Sequence, residues 1–415
     1  MAEEQGYLPA SLNPFEPGYW DNPYPQFKAI RDEDPVHRTA LGPWALFRHA
    51  DITRVLRDPN LSVEERHAAP MQQSDPEIQE LFESRSDRRS ASMLDRDPPD
   101  HHRLRRLVSK AFTPRVIEDL RPRISAIVAE HLEAMRTLAL DGALADVIGD
   151  LAFPLPFIVI SEMMGIPEGR DRNDLRDWSG ALVKTFDPIL TPDDVRAAIS
   201  AGDNIFSYLQ EVVDHKRVNP ADDVTSAMIA AEEDGDRLST EELITNISLL
   251  FIAGHETTVN LVGNGVLALL RNRDQLERWQ RDPSLDANAV DELLRYDGPV
   301  QFSRRIAIED FTLGEHTIEA RSAIMVCLAA GNHDPEMFGP SADTLDLSRT
   351  NANQHLTFGG GFHHCLGNAL AKVEAQEAIG GLVRAFPNID LAADTLEWNG
   401  RIVIRGLNAL PVTLA

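Results

Sequence analysis

The run Phe358-Gly359-Gly360-Gly361-Phe362-His363-His364-Cys365-Leu366-Gly367 constrains this chain more than any other feature of its 415 residues. A cysteine behind a glycine turn needs a reason, because an exposed thiolate is easily oxidised while a sheltered one can serve as a ligand. Gly359 and Gly361 supply backbone angles that side chains disfavour, and they let the main chain lie close against a flat ligand. An apolar helical pattern with Leu370 and Ala371 follows. Cys365 therefore sits at or just before a helix start, where free N–H groups and the helix dipole favour negative charge on sulfur. Phe358 can shield that sulfur, and Gly367 leaves room beside the helix. With this composition the spacing F-G-x-G-x-H-x-C-x-G arises by chance in roughly one chain of this length in two million. The other cysteine, Cys327, lies in an apolar strand pattern and reads as an inert buried thiol.

Around this loop the chain reads as mainly helical. Helical periodicity marks 101–113, 115–137, 154–165, 192–217, 239–271, 274–281 and 287–296, with a shorter helix at 29–34. A hairpin is expected from 35–40 and 44–48, and strands at 303–308, 311–313, 317–318, 323–328, 401–404 and 410–414. Residues 61–93 read as a polar loop with short helical pieces, and 331–361 as irregular. No repeat or linker composition interrupts the chain. The expectation is one domain over 1–415, its helical bulk at 97–300 and β-containing parts near 35–48, 303–328 and 400–415.

A formal net charge of −26 disfavours nucleic acid and anionic membrane surfaces. The most apolar stretch, 151–166, is broken by Pro154, Pro156 and Glu162, so no membrane anchor is expected. Two cysteines and an N-terminus without the order of a signal peptide point to the cytoplasm. One window runs against the overall charge. From His101 to Ile117 there is no carboxylate but Arg103, Arg105, Arg106, Lys110 and Arg115. An anionic ligand or partner would suit it.

The cysteine loop resembles the heme-binding loop of the cytochrome P450 family, and further motifs extend the resemblance over essentially the whole chain. It implies a cytochrome P450 fold, mainly α with small β-sheets. Heme b would lie between the 239–271 helix and the helix starting near Cys365, with Cys365 as axial ligand to the iron and Phe358, Gly359 and Gly367 beside it. Ala253-Gly254-His255-Glu256-Thr257-Thr258 is similar to the oxygen-activation motif. Small Ala253 and Gly254 would admit the cofactor, Thr257 would hold the hydrogen-bond network at the oxygen site, and Glu256 would feed protons. Glu292-Leu293-Leu294-Arg295 matches the family's buried structural pair. The basic residue usual for a third partner is missing from Asp343-Thr344-Leu345-Asp346, which leaves Arg349 or His355. Asp97-Pro98-Pro99-Asp100-His101-His102-Arg103-Leu104-Arg105 is similar to a motif whose His101 and Arg105 would hold heme propionates, together with Arg305 (Arg304 competing) and His363. His102 and His364 fill variable positions. Asn332-His333-Asp334-Pro335 departs from the family's N-R-D-P at His333, expected to be a minor surface change.

The resemblance implies a monooxygenase of the soluble bacterial type, inserting one oxygen atom of O2 into a medium-sized hydrophobic molecule. Nothing resembles a flavin or nicotinamide site, so electrons would come from a ferredoxin fed by a ferredoxin reductase. Arg103, Arg106, Lys110 and Lys372 are candidates for its dock. Pocket candidates are Phe186, Leu250, Val300, Gln301 and Phe302. The alternatives are a peroxide-using or oxidative-coupling enzyme on the same fold, and a non-catalytic heme sensor of ligands or gas.

Overall fold

The structure, a computed structural model, describes residues 11–39, 42–69, 75–83, 92–109, 112–167, 172–233 and 236–414. Apolar residues recurring at helical spacing produce α1 (Tyr24–Glu33), α2 (His49–Arg57), α3 (Pro76–Glu83), α4 (Asp100–Ser109) and α5 (Pro114–Leu140). There follow α6 (Pro154–Met164), α7 (Arg172–Lys184), α8 (Pro192–Val218), α9 (Val224–Ala230), α10 (Thr240–Arg271), α11 (Arg273–Arg281) and α12 (Asp286–Asp297). Short α13 (Leu328–Asn332) and α14 (Pro335–Phe338) punctuate an irregular stretch before α15 (Asn368–Ala385).

The 32-residue α10 is the spine, about 48 Å long at the usual rise. Its start is set by a capping box between Ser239 and Glu242. Beyond Thr258 nearly every residue as far as Leu269 is buried, because α6, α12 and α15 pack round it. A helix apolar on all sides is what such enclosure demands.

Strands occupy the flanks. β1 (Val36–Arg38), β2 (Trp44–Leu46) and β3 (Leu61–Ser62) come before β4 (Ala145–Asp146), the two-residue β5 (Glu232–Glu233) and β6 (Asp236–Arg237), and β7 (Phe302–Ala307). β8 (Phe311–Leu313), β9 (His316–Ile318), β10 (Ala323–Cys327), β11 (Asp390–Leu391) and β12 (Pro411–Thr413) complete the set. The larger sheet runs β1-β2-β10-β7-β3, parallel only at β2–β10, where Ile324 faces Trp44. A smaller sheet orders β11-β12-β4.

Several expected elements shift. α1 begins at Tyr24, five residues before the expected start, because Pro25 is tolerated in the first helical turn. Helices α2, α7 and α9 are not among the expected elements: α2 and α7 are polar overall although one face of each is apolar, and α9 has only seven residues. The strand expected at 401–404 reduces to one bridge, Val300 to Ile404. Its backbone is used differently: the amides of Ile402 and Val403 donate to Asp187 Oδ1.

Between α12 and the cysteine loop, buried charge organises the chain. Glu292 and Arg295 are fully buried, and Arg295 donates from Nε and Nη2 to the Glu292 carboxylate at 2.7 and 2.8 Å. Arg349 Nε adds contacts of 3.2 Å to both carboxylate oxygens. The third partner is thus Arg349; His355 lies against Asp291, 3.7 Å away. His333 is corrected from a surface residue to a buried one: it is 4% exposed, its ring stacked on Tyr24 and bonded to the Tyr296 carbonyl and Asp343.

Glu374 on α15 is buried beside α10 with neither carboxyl oxygen well paired. Burial pushes its carboxyl up to about 8, and the Thr258 hydroxyl pulls the other way without cancelling this. The folded chain keeps this proton from about pH 4.5 to about 8 while the unfolded chain releases it, so stability falls as pH rises through that window. Glu374→Gln removes the penalty. Denaturation midpoints should show the variant gaining on wild type between pH 5 and pH 8, by on the order of 2–4 kcal/mol. A pH-independent difference would refute the buried neutral acid.

Candidate functional site

The cysteine loop closes as a tight turn in which the Cys365 amide donates to the Phe358 carbonyl at 2.9 Å. Gly361 adopts φ +67°, and a Cβ there would meet the Leu56 carbonyl at 2.5 Å, so only glycine lets the loop lie on the end of α2. Cys365 precedes α15 by three residues. Its carbonyl accepts from Asn368 Nδ2 at 2.8 Å, and its sulfur receives the Gly367 N–H. Burial pushes the thiol up, while the Gly367 amide and the Arg105 guanidinium act in the opposite sense. Beside Gly367 there is open space where a side chain would be. Phe358 lies near the Lys372 ammonium and the His355 ring.

Arginines and histidines from α4, β7 and the loop itself come together here. His101, in the first turn of α4, is 1% exposed and has its ring 4.3 Å from that of His363. Burial lowers His101 to about 4, and Arg105 and His102 add to the effect. His363 falls to about 3 through burial, with His101, Arg305 and Arg105 repelling its charged form. Arg305 on β7 is 3% exposed and lowered by burial to about 10. Arg304 points outward, 44% exposed, near Glu65 and Asp95. Arg105 reaches over the loop to the carbonyls of Phe362 and His364.

The polar atoms here are under-satisfied. His101 Nδ1, His363 Nε2 and Arg305 Nε are buried without a hydrogen-bond partner. Buried donors normally find acceptors, and a buried guanidinium such as Arg305 needs negative charge. The donor set fits a ligand bearing two carboxylates above a thiolate, which is what heme presents.

On α10, Thr257 donates from Oγ1 to the Ala253 carbonyl at 2.8 Å. Glu256 is held by the Arg401 guanidinium, both side chains largely buried. Arg401 carries no local motif; only the fold brings it to α10. Ala253 is exposed on the helix. A Cβ on Gly254 would instead meet Ile160 Cδ1 at 3.1 Å, so its small size serves the packing of α6. His255 faces away into an aromatic cluster with Phe153, Phe157 and Phe251.

The remaining candidates divide. Phe186, after α7, is 44% exposed, whereas Leu250 is buried and Val300 half-buried. Gln301 is buried and tied to the Gly298 carbonyl. Phe302 is corrected from pocket wall to core, because it packs edge-on against Phe27 at 5.7 Å. Of the basic surface candidates, Arg103 pairs with Glu242 and Lys372 with Asp291. Arg106 is exposed. Lys110 lies outside the described residues.

The Cytochrome P450 family model matches residues 55–391. The vitamin D(3) 25-hydroxylase of Pseudonocardia autotrophica is 42% identical over 410 residues, covering 96% of each chain. The 6-deoxyerythronolide B hydroxylase of Saccharopolyspora erythraea is 33% identical, covering 95% of this chain and 96% of its own. The solved structure of the bacillaene polyketide synthase cytochrome P450 PksS of Bacillus subtilis superposes with a TM-score of 0.87 at 36% identity, covering 97% of this chain and 100% of that one.

The unpaired donors make a prediction that separates two measurements. Arg305→Met should change the stability of the heme-free chain by less than about 1 kcal/mol, because it removes one buried unsatisfied donor together with the bonds to the Arg304 and Leu56 carbonyls. The same change should speed heme loss to apomyoglobin about tenfold, because a propionate partner is gone. Equal destabilisation of both forms would show that Arg305 serves packing alone.

Proposed function

The chain belongs to the cytochrome P450 family, and we propose that it hydroxylates or epoxidises a medium-sized hydrophobic molecule with electrons from a ferredoxin. It is a P450 monooxygenase of bacterial type that carries heme b. The observation that supports the site assignment best is the convergence of Arg105, Arg305 and the imidazoles of His101 and His363 on a thiol just before a helix start, with His101 Nδ1, His363 Nε2 and Arg305 Nε left buried without a partner. Bound heme supplies the oxidising chemistry, which places one oxygen atom of O2 in a C–H or C=C bond while the other leaves as water.

The protein's own residues do the rest. Cys365 would supply its sulfur to the heme iron, with the Gly367 amide favouring its charge. His101, Arg105, Arg305 and His363 would hold the two propionates. Glu256 carries protons inward from the solvent side of α10. Thr257 Oγ1 keeps a lone pair to accept one while donating to Ala253. Exposed Phe186 and half-buried Val300 contribute apolar surface to the substrate side. The names of relatives, a vitamin D(3) 25-hydroxylase and a 6-deoxyerythronolide B hydroxylase among them, support a medium-sized hydrophobic substrate. Both cysteines are free thiols, which suits a reducing cytoplasm. Among the described residues no helix is long and apolar enough to cross a membrane.

The dock for an acidic ferredoxin centres on Arg106, whose neighbour Arg105 touches the cysteine loop. Arg103, paired with Glu242, and Lys372, paired with Asp291, flank it.

Two measurements test this reading. Reduced wild type under carbon monoxide should show a strongly red-shifted Soret band that Cys365→Ala abolishes; a band indifferent to Cys365 would refute the thiolate site. Arg106→Glu should slow reduction by ferredoxin about three- to tenfold at low salt, converging with wild type at high salt. Unchanged rates would move the dock elsewhere.

A further inference from the structure

We propose that Arg401 and Asp187 are positioning residues that tie the substrate-side segment after α7 to the Glu256 carboxylate. The inference rests on the proton role proposed for Glu256 and concerns what controls it.

The loop 399–405 looks like an irregular tail, yet it is bonded on three sides. Toward the substrate side, Asp187 Oδ1 accepts from the amides of Ile402 and Val403 at 3.0 and 2.9 Å. Asp187 is 4% exposed, and Lys184 of α7 holds its other oxygen at 2.9 Å. Toward the pocket wall, the Gln301 amide donates to Val403 and the Arg405 amide to Pro299. Toward α10, Arg401 grips Glu256. The loop is braced from within, since Asn399 Oδ1 accepts from the Arg401 amide and its Nδ2 donates to Ile404.

A second contact strengthens the link to α7. A Cβ on Gly180 would lie 3.0 Å from Arg401 Nη2, so the guanidinium passes beneath α7 where a side chain is missing. Beside it lies a cavity of about 330 Å³ lined by Arg176, Asp177, Gly180, Glu256, Asn260 and Arg401. Water entering this polar space meets the outer side of Glu256. Arg401 therefore stands between α7, the cavity and the carboxylate.

The physical consequence is coupling. A carboxylate bound to a guanidinium has its orientation, and its freedom to turn toward another partner, set by that contact. The partner's backbone is fixed one residue away to Asp187, directly after exposed Phe186. When 182–190 settles on a hydrophobic ligand, Asp187 carries the 401–403 backbone with it, and the hold on Glu256 changes. An ion pair serving stability alone would need neither the amide clamp on Asp187 nor the gap at Gly180.

The test uses the heme-loaded enzyme with a surrogate ferredoxin and reductase, without added substrate. It compares wild type, Glu256→Gln, Arg401→Gln, Arg401→Lys and Asp187→Asn. Amide exchange should rise about tenfold within both 399–405 and 182–190 in Arg401→Gln and in Asp187→Asn. The fraction of reducing equivalents released as hydrogen peroxide should rise about twofold or more in both, and return toward wild type in Arg401→Lys. An unchanged peroxide fraction in Glu256→Gln sinks the proton role beneath the proposal. A raised fraction there, with Arg401→Gln and Asp187→Asn both at the wild-type level, overturns the strut alone. Exchange confined to the mutated segment also overturns it.

Discussion

Everything near the cysteine depends on one buried charge cluster, Glu292 with Arg295 and Arg349. Burying a carboxylate and two guanidiniums costs several kcal/mol per ion unless each donor and acceptor is matched. Here the matching is done by otherwise irregular backbone. Arg295 donates to the carbonyls of Asn332, Ala342 and Thr344, and Arg349 to those of Phe338, Ser341 and Thr344. The Asp346 amide returns to Glu292. A stretch with almost no secondary structure thus gets its shape from charges that cannot be left unpaired. From there the order reaches the cysteine loop. Asn332 accepts from the Leu356 amide and donates to the Thr357 hydroxyl, which itself bonds the Leu294 carbonyl of α12.

The pocket side follows the opposite rule. His101 Nδ1, His363 Nε2 and Arg305 Nε are buried without partners, although the Arg305 Nη atoms reach the carbonyls of Arg304 and Leu56. Burial keeps both imidazoles neutral at pH 7, so the positive groups are Arg105 and Arg305. Leaving such nitrogens unpaired is costly by itself and, on the proposed reading, becomes favourable when a ligand brings its own carboxylates. The structural lock is complete within the chain, whereas the binding site is complete only with its ligand. Both rely on buried arginines, and hydrogen-bond satisfaction is what separates them.

That difference also explains what could be read from sequence. Cys365, Glu292 with Arg295, and His101 with Arg105 lie within a few residues of one another, so spacing alone places them together. Arg349 could not be separated from His355, because a path of more than fifty residues brings either one near Glu292. His333 was misjudged because Tyr24, which covers it, lies some three hundred residues away in sequence. Gly254 was assigned to the cofactor, but Ile160 of α6 takes the space. Arg103 and Lys372 read as free surface charge until Glu242 and Asp291 arrived from other helices. Arg401 gave no local signal: its partners Glu256, Asp187 and Gly180 belong to segments that only the fold assembles.

The acid and alcohol on α10 show why such contacts bear on function. Read alone, Glu256 and Thr257 form an open proton path. In the fold each already has a partner: Thr257 bonds its own helix at Ala253, and Glu256 is held by Arg401. Neither can move a proton without loosening that hold. A hydrogen bond to the helix backbone contributes about 1 kcal/mol, a small barrier that thermal motion crosses. A largely buried ion pair is stronger and lasts longer. Release of the acid is therefore the more demanding event, and its control passes to whatever moves Arg401. On the proposed reading, the chemistry sits in a six-residue motif, while the timing sits in a loop some 145 residues further along.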